Sequence, residues 1–302
     1  MEFNDPNVLR FSDVNKKSDN PDIVITGIPY DGGIISHRRG SRYGPEKIRN
    51  IIDSYSTYCT DHNEDLNSLK IYDAGDINVN FIDYDINKII DDYYNIIKSK
   101  NSRFIAFGGD HSITEGLFKA VCKLNKKTGM ILFDAHHDIR DPWRINSGSW
   151  GNNILNGNGG CLDGKNFVQI GVRGFKYSKY YYNKIKTLNI SYFTSLNVFD
   201  EGIEKIIKKA FNIIDAGIIY ASLDIDVVDQ AYAPGVSAAS PGGLTPRELF
   251  KAMYLLGLNK RVRFVDVTEY SPPLDHDDIT GRTASEAILH FMCGVSKSLS
   301  SP

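Results

Sequence analysis

A short apolar run that stops at a cluster of acids and histidines constrains this chain more than any other stretch. Residues 130–133, Met-Ile-Leu-Phe, lead directly into Asp134, His136 and Asp138. A short continuous apolar run is typical of a strand that is buried on both faces of a parallel sheet. Because side chains alternate along extended backbone, we expect these three side chains to point the same way. The stretch therefore predicts half of a metal site at the end of a central strand.

Two further apolar runs end in side chains that can bind a metal. Residues 218–223 lead into Asp224 and Asp226, and residues 104–107 lead through two glycines into His111. Any one of these acids alone has a simpler explanation, since an Asp at a strand end often caps the next helix. Three such motifs together favour a metal site.

The number and type of the candidate ligands favour two metal ions over one. The candidates are four carboxylates and two imidazoles: His111, Asp134, His136, Asp138, Asp224 and Asp226. A catalytic zinc ion needs about three protein ligands. Six mostly oxygen ligands instead suit a pair of Mn²⁺ ions, about 3.5–4 Å apart, that share bridging carboxylates.

The composition is that of a globular enzyme and excludes several other classes of protein. Hydrophobic residues make up 41% and charged residues 24% of the 302-residue chain, which is long enough to bury a sizeable core. The formal net charge of −2 gives no electrostatic reason to expect a nucleic-acid partner. No apolar run approaches the roughly 18 residues that a membrane span needs, so we expect no membrane partner.

The cysteines and the N-terminal residues predict a cytoplasmic protein. The four cysteines are widely spaced and form no Cys-x-x-Cys pair: Cys59, Cys122, Cys161 and Cys293. This spacing predicts reduced thiols and argues against a disulfide framework or a zinc knuckle. The first residues are polar and lack the apolar core of a signal peptide.

About eight predicted strands alternate with helical segments along the chain. This alternation predicts an α/β protein with three layers, α/β/α, around a mostly parallel sheet. Ligands of such sheets bind beyond the carboxyl ends of the strands, where every acid cluster lies. The last strand, residues 262–267, leads to another acid there, Glu269. We expect a single domain over residues 1–302, with a polar segment at residues 1–20.

Three motifs, taken in order, resemble those of the ureohydrolase family, which comprises arginases, agmatinases and formimidoylglutamases. They are Gly108-Gly109-Asp110-His111-Ser112, Asp134-Ala135-His136-x-Asp138 and Ser222-x-Asp224-x-Asp226-x-x-Asp229. The resemblance implies the arginase-like three-layer fold. It also implies a hydrolase of guanidine or amidine C–N bonds that uses two Mn²⁺ ions per subunit, acts on a small molecule and forms trimers or hexamers.

The same resemblance assigns roles to the candidate residues. One ion would be held by His111, Asp134, Asp138 and Asp224, and the other by Asp134, His136, Asp224 and Asp226, so that Asp134 and Asp224 bridge. Two cations make a water-derived nucleophile available near neutral pH, which Asp138 would position and relieve of its proton. Glu269 would pair with the amidinium of the substrate; the alternative is a salt bridge between Glu269 and an arginine.

The loop after the central cluster helps to choose among the subfamilies. Arginases and agmatinases carry a proton-shuttling histidine there, whereas this chain has Ser-Gly-Ser-Trp-Gly at residues 147–151. The sequences around Asp138-Ile139-Arg140 and Asp229 look more like those of formimidoylglutamases. We therefore predict that formimidoylglutamate is the substrate. Ser147 would line the pocket, and Arg140 or Arg173 would hold a substrate carboxylate unless these arginines form structural ion pairs.

Other functions remain open at this point. A Gly-Gly-Leu-Thr turn at residues 242–245 and the loop at residues 40–49 are shared with agmatinases, so agmatinase or another guanidino-acid ureohydrolase is an alternative. A single-zinc deacetylase of the related fold needs fewer acidic ligands than this chain carries. A relative that binds metal without catalysis would explain the missing loop histidine.

Overall fold

Parallel strands form the centre of the computed structural model, which describes residues 8–13, 20–79, 85–99, 101–141, 146–156 and 160–300. The strands in this part of the chain are β1 (Ile23–Ile28), β2 (Tyr58–Cys59), β3 (Glu64–Asp65), β4 (Ile71–Asp76), β5 (Arg103–Gly108), β6 (Thr128–Phe133), β7 (Phe167–Val172), β8 (Ser191–Thr194), β9 (Ile218–Asp224) and β10 (Val262–Thr268). The α-helices are α1 (Gly44–Asp53), α2 (Ile86–Ile97), α3 (Ile113–Cys122), α4 (Trp150–Asn153), α5 (Lys179–Thr187), α6 (Ser195–Glu201), α7 (Ile203–Ile213), α8 (Pro246–Leu258) and α9 (Ile279–Ser300).

Eight of the strands form one parallel sheet in the order β4-β1-β5-β10-β9-β6-β7-β8. The strands that carry the metal-site motifs, β5, β6 and β9, lie in the middle of this order, and β6 and β9 are buried at every position. Burial on both faces explains why these strands are continuous apolar runs. The predicted eight-stranded, mostly parallel sheet is confirmed.

Two hydrophobic clusters, one on each face of the sheet, make the three layers. Along β5, Ile105 and Phe107 belong to one cluster, whereas Phe104 and Ala106 belong to the other. The first cluster also contains buried side chains of α1 and α6–α9, and the second contains those of α2–α5. Alternate strand residues therefore bury themselves under different helices, as the pleat of a strand requires. The predicted α/β/α architecture is confirmed.

Several boundaries differ from those that the sequence pattern predicts. An apolar stripe predicts a helix over residues 201–214, which the structure places at α7. The separate helix α6 ends just before it, at the C-cap Gly202, which has φ of 84°. A two-stranded antiparallel hairpin, β2–β3, was not predicted, since strands of two residues carry no periodic signal. Within the polar segment 1–20, residues 1–7 and 14–19 lie outside the described residues, and Phe11–Asp13 form a short 3-10 helix with Phe11 buried. The single-domain arrangement stays a prediction.

The prediction of four reduced cysteines is wrong for two of them. Cys122, the last residue of α3, forms a disulfide bond with Cys161, and their Cα atoms are 5.9 Å apart. The two cysteines are 39 positions apart in the sequence, and sequence spacing alone does not reveal connectivity. Cys59 and Cys293 are free thiols. In the part of the chain that the structure describes, no helix is long and apolar enough to cross a membrane.

A close crossing of α8 and α9 generates a prediction about stability. A Cβ atom added at Gly294 would lie 2.2 Å from the carbonyl oxygen of Tyr254 and 2.9 Å from the Cα atom of Gly257. Gly294→Ala should lower the free energy of unfolding by about 1–3 kcal/mol, because backbone cannot yield as a flexible side chain would. Denaturant titration measures the change. Gly217→Ala is the matched control, since its Cβ would meet open space. Equal unfolding midpoints for the two variants would contradict the prediction.

Candidate binuclear metal centre

The first group of predicted ligands surrounds the ring of His111. Its Nδ1 atom lies 3.1 Å from Asp224 Oδ2 and 3.3 Å from both Asp134 Oδ2 and Asp138 Oδ2. All four side chains are buried, and their ligand atoms lie within 4.8 Å of one another. The structure therefore brings together three carboxylates and an imidazole at the carboxyl ends of β5, β6 and β9.

A second group shares Asp134 with the first. His136 Nδ1 lies 3.3 Å from Asp134 Oδ1 and 3.1 Å from Asp226 Oδ2. Asp134 thus presents one oxygen to each group, which is the arrangement of a carboxylate that bridges two ions. Asp224 joins the first group through Oδ2, while its Oδ1 accepts a hydrogen bond from the backbone N–H of Asp226 at 2.8 Å. That Asp224 also bridges stays a prediction.

The backbone that aims these ligands is not the extended strand that the sequence pattern suggested. β6 ends at Phe133, and residues 134–138 are irregular. Asp138 has φ of 48° and Glu269 has φ of 67°, both in the left-handed region that residues other than glycine seldom adopt. Such conformations persist where the surroundings enforce them, and they concentrate at functional sites. The predicted convergence is correct, but strand alternation is not its cause.

Two aromatic side chains hold Asp138 in place. The Tyr177 hydroxyl oxygen accepts hydrogen bonds from the backbone N–H groups of His137 and Asp138, each at 3.0 Å. The Trp150 Nε1–H group donates to Asp138 Oδ2 at 3.0 Å, and its ring packs on His111 with the centroids 4.6 Å apart. In the sequence, Trp150 stands out only as part of the loop that lacks a histidine, and nothing around Tyr177 indicates a role at the metal centre.

A chain of hydrogen bonds fixes the ring of His111 from its other side. His111 Nε2 lies 2.9 Å from Ser222 Oγ, and Ser222 Oγ donates to Asp266 Oδ1 at 2.6 Å. Because the serine proton is directed at Asp266, the serine oxygen accepts from His111 Nε2–H, which leaves Nδ1 as the ligand atom. Carboxylates or hydroxyls commonly orient metal-binding histidines in this way.

The electrostatics of the centre call for bound cations. Burial raises the pKa of Asp134 to about 6, and the neighbouring Asp138 and Asp226 add to the rise. Burial opposes the protonation of His136, but Asp226 and Asp134 outweigh it and raise the pKa of that imidazole to about 12. Asp134 Oδ2 is buried and makes no hydrogen bond. Buried carboxylates need pairing or a metal, and oxygen-rich donors with imidazole suit Mn²⁺, so these residues fit a binuclear manganese centre.

A cavity of about 230 Å³ opens onto this centre. Among the residues predicted for the site, Asp138, Arg140, Ser147 and Glu269 line this cavity. It also includes Tyr177 and Ser237, which the sequence analysis did not single out, and Ile35 and Ser36 from the loop after β1.

Glu269 is buried beside the centre and receives two hydrogen bonds. Its Oε1 atom accepts from the backbone N–H of His111 at 2.9 Å, and its Oε2 atom accepts from Ser237 Oγ at 2.8 Å. Burial, with the nearby carboxylate of Asp110, raises its pKa to about 8. Among the described residues no arginine pairs with Glu269, so the alternative of a structural salt bridge finds no support.

The prediction that Arg173 binds substrate is not supported. Its guanidinium donates to five backbone carbonyls and is absent from the cavity lining; the acceptors belong to Asp226, Val227, Val228, Ser240 and Pro241. Arg173 therefore fastens the loop after β9, including the backbone of Asp226, to residues 240–241. The sequence indicated that Arg173 lies near the site, but it did not reveal that backbone carbonyls would accept all the hydrogen bonds of its guanidinium.

Removal of the shared carboxylates should empty the centre. Asp134→Ala and Asp224→Ala are each expected to lower the manganese content from two ions per chain to nearly none. The reason is that each of these carboxylates would be a ligand of both ions. Elemental analysis after manganese loading and gel filtration measures the content. Asp215→Ala, which removes an exposed acid paired with Lys127, is the matched control and should retain both ions. A variant of Asp134 or Asp224 that retains two ions would refute the bridging roles.

Comparison with known proteins places the chain in a family. A model of the arginase family matches residues 21–294. Formimidoylglutamase of Bacillus subtilis is 29% identical over 97% of this chain and 94% of its own length. The formimidoylglutamase of Halalkalibacterium halodurans is 32% identical over 89% of this chain and 86% of its own length. The agmatinase of B. subtilis is 29% identical over 91% of this chain and 92% of its own length.

The fold agrees with that of solved relatives. The crystal structure of B. subtilis formimidoylglutamase superposes with a TM-score of 0.93 at 28% identity, over 99% of this chain and 95% of that one. Since the family model spans nearly the whole sequence, including every residue of the metal centre just described, the chain belongs to the arginase family.

Proposed function

We propose that this chain is a binuclear manganese hydrolase that converts N-formimidoyl-L-glutamate and water to L-glutamate and formamide. The observation that carries the proposal is the distribution of charge in the cavity. Acids and the His136 imidazole line its base at the metal centre, whereas Arg140 is the one lysine or arginine among its described lining residues. A substrate with an amidine at one end and carboxylates at the other matches this distribution.

The surroundings of Arg140 leave its guanidinium available to a substrate. The residue is exposed, and its guanidinium carbon lies over the Tyr177 ring, 5.7 Å from the centroid. Among the described residues no carboxylate pairs with it. Its backbone N–H donates to the Gly148 carbonyl at 3.0 Å, which places it beside Ser147 on the cavity wall. A guanidinium binds a carboxylate through two parallel hydrogen bonds, so Arg140 suits the anionic end of the substrate.

The residues at the base of the cavity suit the reacting end. His111, Asp134, His136, Asp138, Asp224 and Asp226 would hold two Mn²⁺ ions. Bound there, the ions would supply activation of water near neutral pH. Asp138, held by Trp150 and Tyr177, would take the proton from the attacking water and pass it on to the leaving nitrogen. Glu269 would orient the amidinium so that its central carbon faces the water. The C–N bond to the glutamate nitrogen then breaks, which yields the two products.

The relatives support this substrate without excluding another. Two formimidoylglutamases are 29% and 32% identical, and an agmatinase is 29% identical. Agmatinase is the second candidate because of that similarity and the shared turn at residues 242–245. The cation at the far end of agmatine would face Arg140, and like charges oppose binding. Formimidoylglutamate is therefore the better match.

A substrate panel tests the proposed activity. Manganese-loaded protein is given N-formimidoyl-L-glutamate, agmatine, L-arginine or guanidinobutyrate, and formamide, urea and the released amine are quantified. We expect turnover of the first compound at least about 100-fold above that of agmatine, which corresponds to the difference between one charge-assisted contact and one like-charge contact. Urea from agmatine alone would establish the second candidate. No turnover of any compound by protein with two bound ions would indicate a non-catalytic relative.

The role of Arg140 has its own test. Arg140→Ala should raise KM for formimidoylglutamate about 10- to 100-fold, the loss of a hydrogen-bonded charge pair worth about 1.5–3 kcal/mol. The effect on kcat should be smaller, because Arg140 would contact a part of the substrate that does not react. Arg140→Lys should recover part of the loss. Steady-state kinetics measures both constants, with Arg247→Ala as a control at an exposed arginine on α8. An unchanged KM in Arg140→Ala would exclude this anchor.

We further propose a homo-oligomer, trimeric or hexameric, on the basis of the family resemblance. The exposed apolar side chains of Leu196 and Phe199 on α6 support a contact between subunits there. A cytoplasmic location also stays a proposal. It no longer has the support of four reduced cysteines, because Cys122 and Cys161 are bonded.

A further inference from the structure

Two short motifs that mirror each other meet on the side of the molecule formed by the β2–β3 hairpin and α9. Cys59 and His62 are three residues apart in the hairpin, and His290 and Cys293 are three residues apart on α9. Residues three apart on a helix lie on the same face, so α9 presents an imidazole and a thiol side by side. None of these residues contributes to the metal centre at the carboxyl ends of the strands.

Three of these side chains converge on one point, and the fourth lies beside it. Ligand atoms of Cys59, His62 and His290 lie within 4.8 Å of one another. His62 Nε2 is 2.9 Å from His290 Nδ1. Cys293 is a neighbour of Cys59, and both cysteines line an open cavity of about 240 Å³ together with His290. Two ring nitrogens and the Cys59 sulfur therefore surround a common position, and the Cys293 thiol lies beside it on the same cavity wall.

We propose that Cys59, His62, His290 and Cys293 bind one zinc ion. Two cysteines and two histidines are a common ligand set of structural zinc sites, and Cys-x₂-His with His-x₂-Cys has the short spacing that such sites use. Zn–N bonds of about 2.0–2.1 Å in a tetrahedron place the two nitrogens roughly 3.3 Å apart. The observed 2.9 Å thus requires the rings to separate by only a few tenths of an ångström.

Neighbouring side chains already hold the imidazoles as a metal site requires. The His62 ring stacks on Tyr254 with the centroids 3.6 Å apart, and the His290 ring stacks on Phe250 with the centroids 4.8 Å apart. Tyr254 and Phe250 are one turn apart on α8. The second nitrogen of His290, Nε2, lies 4.0 Å from the carboxylate of Asp61. A carboxylate that faces the far nitrogen of a histidine is the usual support of a zinc ligand.

The donor atoms separate this site chemically from the first one. Thiolates favour zinc over manganese, whereas carboxylate-rich sites favour manganese. One chain would thus offer two sites with different metal preferences. The zinc would fasten the β2–β3 hairpin to α9. Two other contacts lie nearby: the Lys297–Glu64 ion pair, whose charged atoms are 2.8 Å apart, and the Tyr55–Glu286 hydrogen bond of 2.8 Å.

Zinc content in a background without the first centre tests the proposal. Full-length Asp134→Ala protein, kept reduced and loaded with zinc, should retain one ion per chain after gel filtration. Adding Cys59→Ser or His62→Gln should remove it. These two positions are partly exposed, so the variants test ligation with less risk to folding than Cys293→Ser, and circular dichroism checks that they fold. Adding Cys122→Ser is the matched cysteine control and should leave the zinc in place.

Cobalt gives a second readout that the catalytic centre cannot produce. Co²⁺ bound to thiolate shows a sulfur-to-metal charge-transfer absorption in the near ultraviolet, and no predicted ligand of the first centre is a cysteine. The band should appear in the unmodified protein and disappear with Cys59→Ser, but persist with Cys122→Ser. Asp61→Asn should weaken zinc binding about 10-fold or more through the loss of support for His290.

Three results would overturn the proposal. The first is Asp134→Ala protein that holds no zinc under reducing conditions. The second is a zinc content that Cys59→Ser and His62→Gln leave unchanged. The third is the absence of the thiolate–cobalt band in folded, reduced protein. Turnover of formimidoylglutamate plays no part in these measurements, so the outcome is independent of the proposed function.

Discussion

Mutual repulsion among buried carboxylates, and the need to neutralise it, is the constraint on which the rest of the site depends. Asp134, Asp138, Asp224 and Asp226 lie within a few ångströms of two imidazoles at the carboxyl edge of the sheet. Such a cluster would destabilise the fold if every acid were ionised and nothing offset the charge. Protonated histidines offset part of it in the protein alone, and two divalent ions would offset the remainder. Folding and metal affinity are therefore coupled at this edge.

The strands that lead into these carboxylates are buried on both faces. β6 and β9 are buried along their whole length and pair with each other in register, so the first ligand after each strand has little freedom. Beyond the strand ends, Tyr177 accepts a hydrogen bond from the backbone of Asp138 and Trp150 donates one to its carboxylate. The chain of hydrogen bonds that joins His111, Ser222 and Asp266 fixes the His111 ring. Preorganisation of this kind means that metal ions and substrate meet groups already in place.

Apolar runs and the acids that follow them were sufficient to predict the sheet, the layers and the six candidate metal ligands, because strand burial and the carboxyl-edge rule act locally. Thr245 followed three residues later by Glu248 is likewise the local pattern of a capping box, and the structure contains that box at the start of α8. The local backbone was not readable: Asp138 and Glu269 adopt left-handed conformations that only tertiary contacts can enforce. Arg173 could not be assigned either, since its five acceptors are carbonyls brought together by folding. The Cys122–Cys161 bond was missed for the same reason, because it joins segments that are distant in sequence.

The cavity combines two kinds of wall, and the difference bears on how such an enzyme can change over evolutionary time. The base comes from strand ends, whereas the rim comes from connecting loops that carry Ile35, Arg140, Ser147, Tyr177 and Ser237. In the part of the chain that the structure describes, Ile35, Arg140 and Ser147 make no hydrogen bond to the buried acids, so substitutions at these rim positions can exchange one amidine or guanidine substrate for another without a metal-free intermediate. Gene duplicates of such a protein have a short mutational path to new specificities.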